Sequence, residues 1–141
     1  MTSDSLASLV KVGLLKAEPG DQAEFDGLLR AGRAKFKDAA NEDLEPESRF
    51  DLAYNAAHAL SLAALRWHGY RPDKRYVVFQ ALQHTLAMPA GVWRVLDRCH
   101  SLRNAAEYEG EAEIDTSVLD DLMKAVGAVR DAVLTLGPIR R

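Results

Sequence analysis

Arg103, Asn104 and Tyr108 fall together near the end of an apolar-periodic segment, with His100 three residues before Arg103 and Glu107 four after it. At 100° per residue the apolar stripe of this segment (Val92, Val95, Leu96, Cys99, Leu102 and Ala106) centres between Val95 and Cys99, and Arg103 lies within roughly 50° of that centre. A charge so placed is expensive unless something receives it. Glu107, His100 and Asn104 follow around one flank, with Tyr108 just beyond. The pairs Arg103–Glu107, His100–Asn104 and Asn104–Tyr108 each stand four apart, close enough to touch on a helix. An arginine's rigid fork of donors suits a phosphodiester, and an imidazole exchanges a proton near neutrality. The amide can orient a substrate hydroxyl, and the phenol can donate to a phosphate or stack on a base. The same spacing also fits an internal Arg103–Glu107 ion pair with His100 and Tyr108 at an ordinary helix edge. Both readings stand on spacing alone.

The elements that must position this strip are helical throughout. Leu6, Leu9, Val10 and Leu14 predict a short helix over about 4–17, stopped by Pro19-Gly20. Asp21 with Glu24 makes a near capping box that opens a second helix, whose stripe is Phe25, Leu28, Leu29, Gly32, Phe36 and Ala39. A third helix is expected from Pro46 to about His68, with a seam at Phe50, Ala53, Ala57, Leu60, Ala64 and Trp67. Leu52, Ala56, Ala59 and Ala63 form a second apolar row, which marks this helix as central or as packed on a second subunit. Gly69 to Asp73 reads as a loop, and 74–88 as one helix on the Val78, Leu82, Leu86 spacing, stopped by Pro89. A fifth helix is expected over 91–109. The last, from Thr116 or Ser117 to Leu136, has Leu119, Leu122, Val126, Val129 and Val133 inward. The expectation is one all-α domain over 1–141, with a core over about 21–137 and four to six helices in an up-and-down bundle.

Composition narrows the function classes. The chain has 141 residues, 48% hydrophobic and 28% charged, which fits one folded domain rather than a disordered segment. A net charge of −3 gives no global field for nucleic acid, so any such contact must be local. Arg30, Arg33, Lys35 and Lys37 form one local cluster, and Arg66, Arg71, Lys74 and Arg75 another; each reads first as a solvated face. The single cysteine, Cys99, excludes an intrachain disulfide and reads as a small core residue. No apolar run reaches membrane-spanning length, and the opening residues lack a basic stretch ahead of an apolar core. No membrane contact and a cytoplasmic location are therefore expected. His58, His68 and His84 have no ligand spacing among them, and no glycine-rich phosphate loop is present, so neither a metal nor a cofactor is expected. Asn55, polar amid alanines, either reaches the Arg103 strip or faces solvent. Trp67 and Trp93 are expected to seal helix ends.

The segment Arg103-Asn104-x-x-x-Tyr108, on the penultimate helix of a small all-α domain, resembles the signature region of the HEPN superfamily of dimeric helical bundles. The alanine-rich stretch from Arg49 to His58 and the Gly69-Tyr70-Arg71-Pro72 turn are similar to those of small bacterial members, and the likeness spans about 45–135. The resemblance implies a homodimer with RNA or a nucleotide in the cleft between subunits. It also implies a metal-independent endoribonuclease of a toxin–antitoxin or defence pair, using the RNA 2′-hydroxyl as nucleophile. Arg103 matches the family arginine and Asn104 its polar neighbour, while Tyr108 stands where active members carry histidine. A phenol is a poorer proton shuttle at neutral pH than an imidazole. His100 is the nearby imidazole on the same strip, though the family motif places no catalytic histidine there. The alternative is a catalytically inactive interaction module, or the partner of a nucleotidyltransferase.

Overall fold

The long helices form where the apolar spacing places them in the computed structural model, which describes the backbone of residues 2–109 and 114–139 and the side chains of 5–105 and 114–139. The elements are α1 (Thr2–Lys11), β1 (Leu15–Ala17), α2 (Gln22–Ala39), α3 (Pro46–His68), β2 (Tyr70–Pro72), α4 (Val77–Gln80), α5 (Leu82–Thr85), α6 (Ala90–Glu109) and α7 (Thr116–Leu134). The all-α expectation holds, with a small two-stranded ribbon added to it.

α3 is the core element. Pro46 opens it at a position where the missing N–H costs nothing, and Gly69 closes it at φ 89°, a left-handed conformation that favours glycine. Both of its apolar rows are used: Ala53, Ala56, Ala57, Leu60, Ala63 and Ala64 are all buried. α2 and then α7 pack on it most extensively, and α6 packs on α7. The alanines and Gly32 set how closely α2 approaches. A Cβ at Gly32 would stand 2.7 Å from Leu60 Cγ, so hydrogen is all that fits there. α7 contributes Leu119, Leu122, Val126, Val129 and Val133 to the same core, as its spacing predicts. Its N-cap is Asp115, whose carboxylate accepts the Val118 N–H at 2.9 Å.

Several expectations need correction. The first helix stops at Lys11, because Gly13 turns the chain at φ 80° and Leu15–Ala17 leaves as a strand. That strand pairs antiparallel with Tyr70–Pro72 in the register Leu15↔Pro72, Lys16↔Arg71, Ala17↔Tyr70, so the expected loop is half of a ribbon. Residues 74–88 form two single turns rather than one helix. Around Ala81 the bonding tightens, with the His84 N–H reaching Ala81 O at 2.8 Å while the Gln83 side chain takes the Gln80 carbonyl at 3.0 Å.

Arg66 is a further correction. It belongs to no solvated basic cluster, because it is 1% exposed. Its Nε donates to Glu24 Oε1 at 2.6 Å, Nη1 to the carbonyls of Glu18 (2.9 Å) and Tyr70 (3.2 Å), and Nη2 to that of Pro19 at 2.7 Å. Arg71 closes the arrangement, with Nη2 at 2.6 Å from Glu18 Oε2 and 2.9 Å from Glu24 Oε2. Asp21 does cap α2, accepting the Ala23 N–H at 3.0 Å. Glu24, expected to complete a capping box, is drawn to the two arginines instead.

The Arg71 hydrogen bond holds the Glu18 carboxyl below the ordinary range. Burial opposes ionisation of Glu24, but the hydrogen bonds from Arg66 and Arg71 outweigh it and lower that carboxyl as well. Folded values below unfolded ones stabilise the fold above the usual carboxylate pKa of about 4.3, and this stabilisation is lost as pH falls further. Urea midpoints should therefore drop on acidification through this range, and drop less in Glu24→Gln. Arg66→Ala should cost about 3 kcal/mol in urea unfolding at neutral pH, because three carbonyls lose their donor. Gly32→Ala should cost about 1–3 kcal/mol by overpacking against Leu60.

Candidate functional site

The strip on α6 meets a buried tyrosine of α3. Tyr54 is fully buried, and its hydroxyl lies 2.8 Å from His100 Nδ1. The two rings lie 6.2 Å apart at 26°, and Phe79 of α4 packs edge-on against Tyr54 at 5.8 Å. On the other side of the imidazole, Asn104 Nδ2 lies 3.3 Å from Nε2. An amide N–H facing Nε2 is consistent with a lone pair there and a proton on Nδ1, shared with the Tyr54 oxygen. His100 is thus held at both nitrogens, by α3 and by its own next turn.

Two guanidiniums flank the same tyrosine. Arg103 Cζ lies over the Tyr54 ring at 5.0 Å from its centroid. Arg75, from the turn between β2 and α4, stands at 5.9 Å. This answers how a charge sits on an apolar stripe: the cation lies on a ring face, where the quadrupole attracts it. One turn after Tyr54, half-buried His58 packs edge-on against Phe79 at 6.3 Å.

The electrostatics follow from this crowding. Burial, then the charge of Arg75, then His100 and Arg103 push the His58 imidazole down to about 4. His100 is also lowered, first by burial and then by Arg75 and Arg103, with Asp97 acting in the opposite direction. At neutral pH both histidines are neutral beside two cations. The arrangement favours an anion, and it offers a neutral imidazole as proton acceptor.

No family model, curated protein or solved structure matches this chain.

Of the residues singled out by sequence, Arg103, Asn104 and His100 come together around Tyr54. The side chains of Glu107 and Tyr108 lie outside the described residues, and with them the Arg103–Glu107 and Asn104–Tyr108 pairs. Asn55 does not reach the strip; its amide donates to the Asp51 carbonyl one turn earlier at 2.9 Å. Cys99 is buried, and burial pushes its thiol up to about 11, which suits a core residue and not a nucleophile. His68 Nε2 lies 2.9 Å from the Thr85 carbonyl, and Trp67 Nε1 donates to Gly137 O at 3.1 Å, pinning the end of α7. Among the described residues no group of three or more His, Cys, Asp or Glu is placed to hold a metal ion. No helix among them is long and apolar enough to cross a membrane.

Tyr54, His58 and Arg75 are the site members that sequence reasoning missed. The available signal was the i, i+4 pair Tyr54–His58 on a helix otherwise lined with alanine; no sequence pattern links Arg75 to them.

Imidazole titration followed by NMR should leave His58 neutral until the pH approaches 4, with His100 protonating below the usual value of about 6.5. Arg75→Ala should raise the His58 value only in part, since burial is the larger cause. Stability from burying neutral His58 is complete above the ordinary imidazole pKa and is lost as pH falls from there toward 4.

Proposed function

We propose that this chain is a HEPN-like domain that binds RNA or a nucleotide through the cluster around Tyr54, as a homodimer whose cleft is built on the Arg103 helix. The observation that carries the reading is the placement of Arg103 and Arg75 within 6 Å of one buried tyrosine ring, beside the Tyr54–His100–Asn104 chain. Two cations beside two neutral imidazoles suit a phosphodiester better than a neutral or cationic ligand. A C2 dimer would bring two copies of this short constellation together, as the resemblance implies.

The chemistry within reach is metal-independent cleavage. In this reading Arg103 takes the non-bridging phosphate oxygens and stabilises the charge that builds on them during attack. The Asn104 amide turns from Nε2 to the incoming hydroxyl or its phosphate, and His100, neutral and oriented by Tyr54, then accepts the 2′-hydroxyl proton at the Nε2 so exposed. The 2′-oxygen attacks the adjacent phosphorus, a 2′,3′-cyclic phosphate forms as the P–O5′ bond breaks, and the 5′-oxygen takes a proton from solvent to leave as the new 5′-hydroxyl end. His100 thereby takes the base role that Tyr108 fills poorly.

Labelled single-stranded RNA incubated with the protein in EDTA tests this directly. Arg103→Ala should weaken RNA binding by about tenfold or more, the loss of one charge-assisted bidentate contact. His100→Ala should abolish cleavage while retaining most of the binding, and Tyr108→Phe should retain cleavage. RNA binding without cleavage in the wild type would leave the inactive-module alternative standing. Absence of both at moderate salt would sink the nucleic-acid reading. Sedimentation of wild type and Arg103→Ala tests the dimer independently.

A further inference from the structure

On the flank of α2 away from its contact with α3, a groove of about 880 Å³ runs between α2 and α7. Four cations line it. Arg130 is already committed, with Cζ 5.0 Å from the Phe36 centroid and Nη2 3.0 Å from Asp131 Oδ1. Asp26, the other acid on the groove, accepts from Gln22 at 2.8 Å. That leaves Arg30, Arg33 and Lys37, all exposed and in no ion pair among the described residues. They stand at i, i+3 and i+7, one face of α2 over about 10 Å of helix axis. Lys35, grouped with them by sequence, does not line the groove. The floor between the cations is apolar, and at its α7 edge Leu134 is 46% exposed, one of two large hydrophobic side chains so exposed among the described residues.

We infer that this groove docks an acidic amphipathic helix of a partner protein. Unpaired cations repeating at one-turn spacing complement carboxylates at the same spacing on an opposing helix, in a chain whose net charge of −3 makes this positive face a local feature. The apolar floor decides between classes of polyanion. A leucine stripe buries the Phe36–Leu134 floor while its flanking glutamates meet Arg30, Arg33 and Lys37, the usual helix-in-groove arrangement. A phosphate backbone satisfies the cations and leaves that floor wet. The volume lies toward the upper end of small-ligand pockets, and the groove is bounded by two long helices, which suits an elongated occupant.

The test uses the full chain and a synthetic helix-forming peptide with a leucine stripe flanked by glutamates, followed by fluorescence anisotropy. Its lysine-for-glutamate counterpart and a single-stranded oligoribonucleotide serve as comparisons. The acidic peptide should bind saturably, and Arg30→Glu/Arg33→Glu/Lys37→Glu should weaken it about tenfold or more and transfer preference to the lysine peptide. Leu134→Glu should weaken the acidic peptide as well, and Arg103→Ala should leave its affinity unchanged, which separates this groove from the Tyr54 cluster. All four groove positions are exposed, and circular dichroism confirms that the variants fold. Failure of the acidic peptide to saturate overturns the inference, as does indifference to either groove variant. Displacement of the peptide by the oligoribonucleotide, with RNA binding lost in the triple variant, overturns it in favour of a nucleic-acid track.

Discussion

A guanidinium buried at the end of a core helix must have its donors matched, and the ribbon and the start of α2 are arranged as the set of groups that match Arg66. The start of α2 supplies Glu24, the exit from β1 supplies Glu18 and the Pro19 carbonyl, and β2 supplies the Tyr70 carbonyl. Arg71 then balances the second negative charge that Arg66 alone cannot. Burying such a pair carries a desolvation cost comparable to its attraction, so its net contribution to stability is modest. Its effect here is geometric. A three-residue ribbon has too few ladder bonds to fix its own position, and a directional network locks it, and with it α2, to one end of α3.

Fixing α3 also fixes the candidate site, since Tyr54 lies three turns earlier on the same helix, about 18 Å along its axis. Tyr54 has three roles at once. Its hydroxyl holds His100, its ring forms a T-shaped pair with Phe79, and its face lies under Arg103. A phenylalanine would pack comparably and leave the imidazole without an Nδ1 partner. Because α6 makes fewer contacts with α3 than α7 does, this polar contact also sets how α6 is rotated. The same rotation decides whether Arg103 faces a ring or solvent.

The long helices were legible because each carries enough turns for the 3.6-residue period to show: α3 and α7 fall within a residue or two of their expected ends. The ribbon and the two single turns were not. Three residues of strand contain no readable alternation, and the Val-Val-Phe run fits any buried element. Of the site, the part on one helix was readable: Arg103, His100 and Asn104 follow from angular position alone. The part that arrives from elsewhere was not, since Arg75 sits in a turn whose direction is set by the ribbon, and nothing local in the sequence encodes that.

Charge shows the same limit from another side. The two basic clusters look alike in sequence, yet their members meet different fates. Arg66 and Arg71 are neutralised by Glu18 and Glu24, Arg75 is carried to the Tyr54 ring, and Arg30, Arg33 and Lys37 remain on an open groove. A net charge of −3 averages over all of these. What a ligand meets is the charge left after internal pairing, at the dielectric of its own surroundings. Near Tyr54, burial first and the charge of Arg75 second suppress protonation of the His58 imidazole. On the groove, exposure leaves it screened, so affinity there must come from apolar burial, with the cations setting which partner is chosen. Two positive surfaces on one acidic chain are therefore suited to different tasks: one to a compact anion, the other to selecting among amphipathic helices.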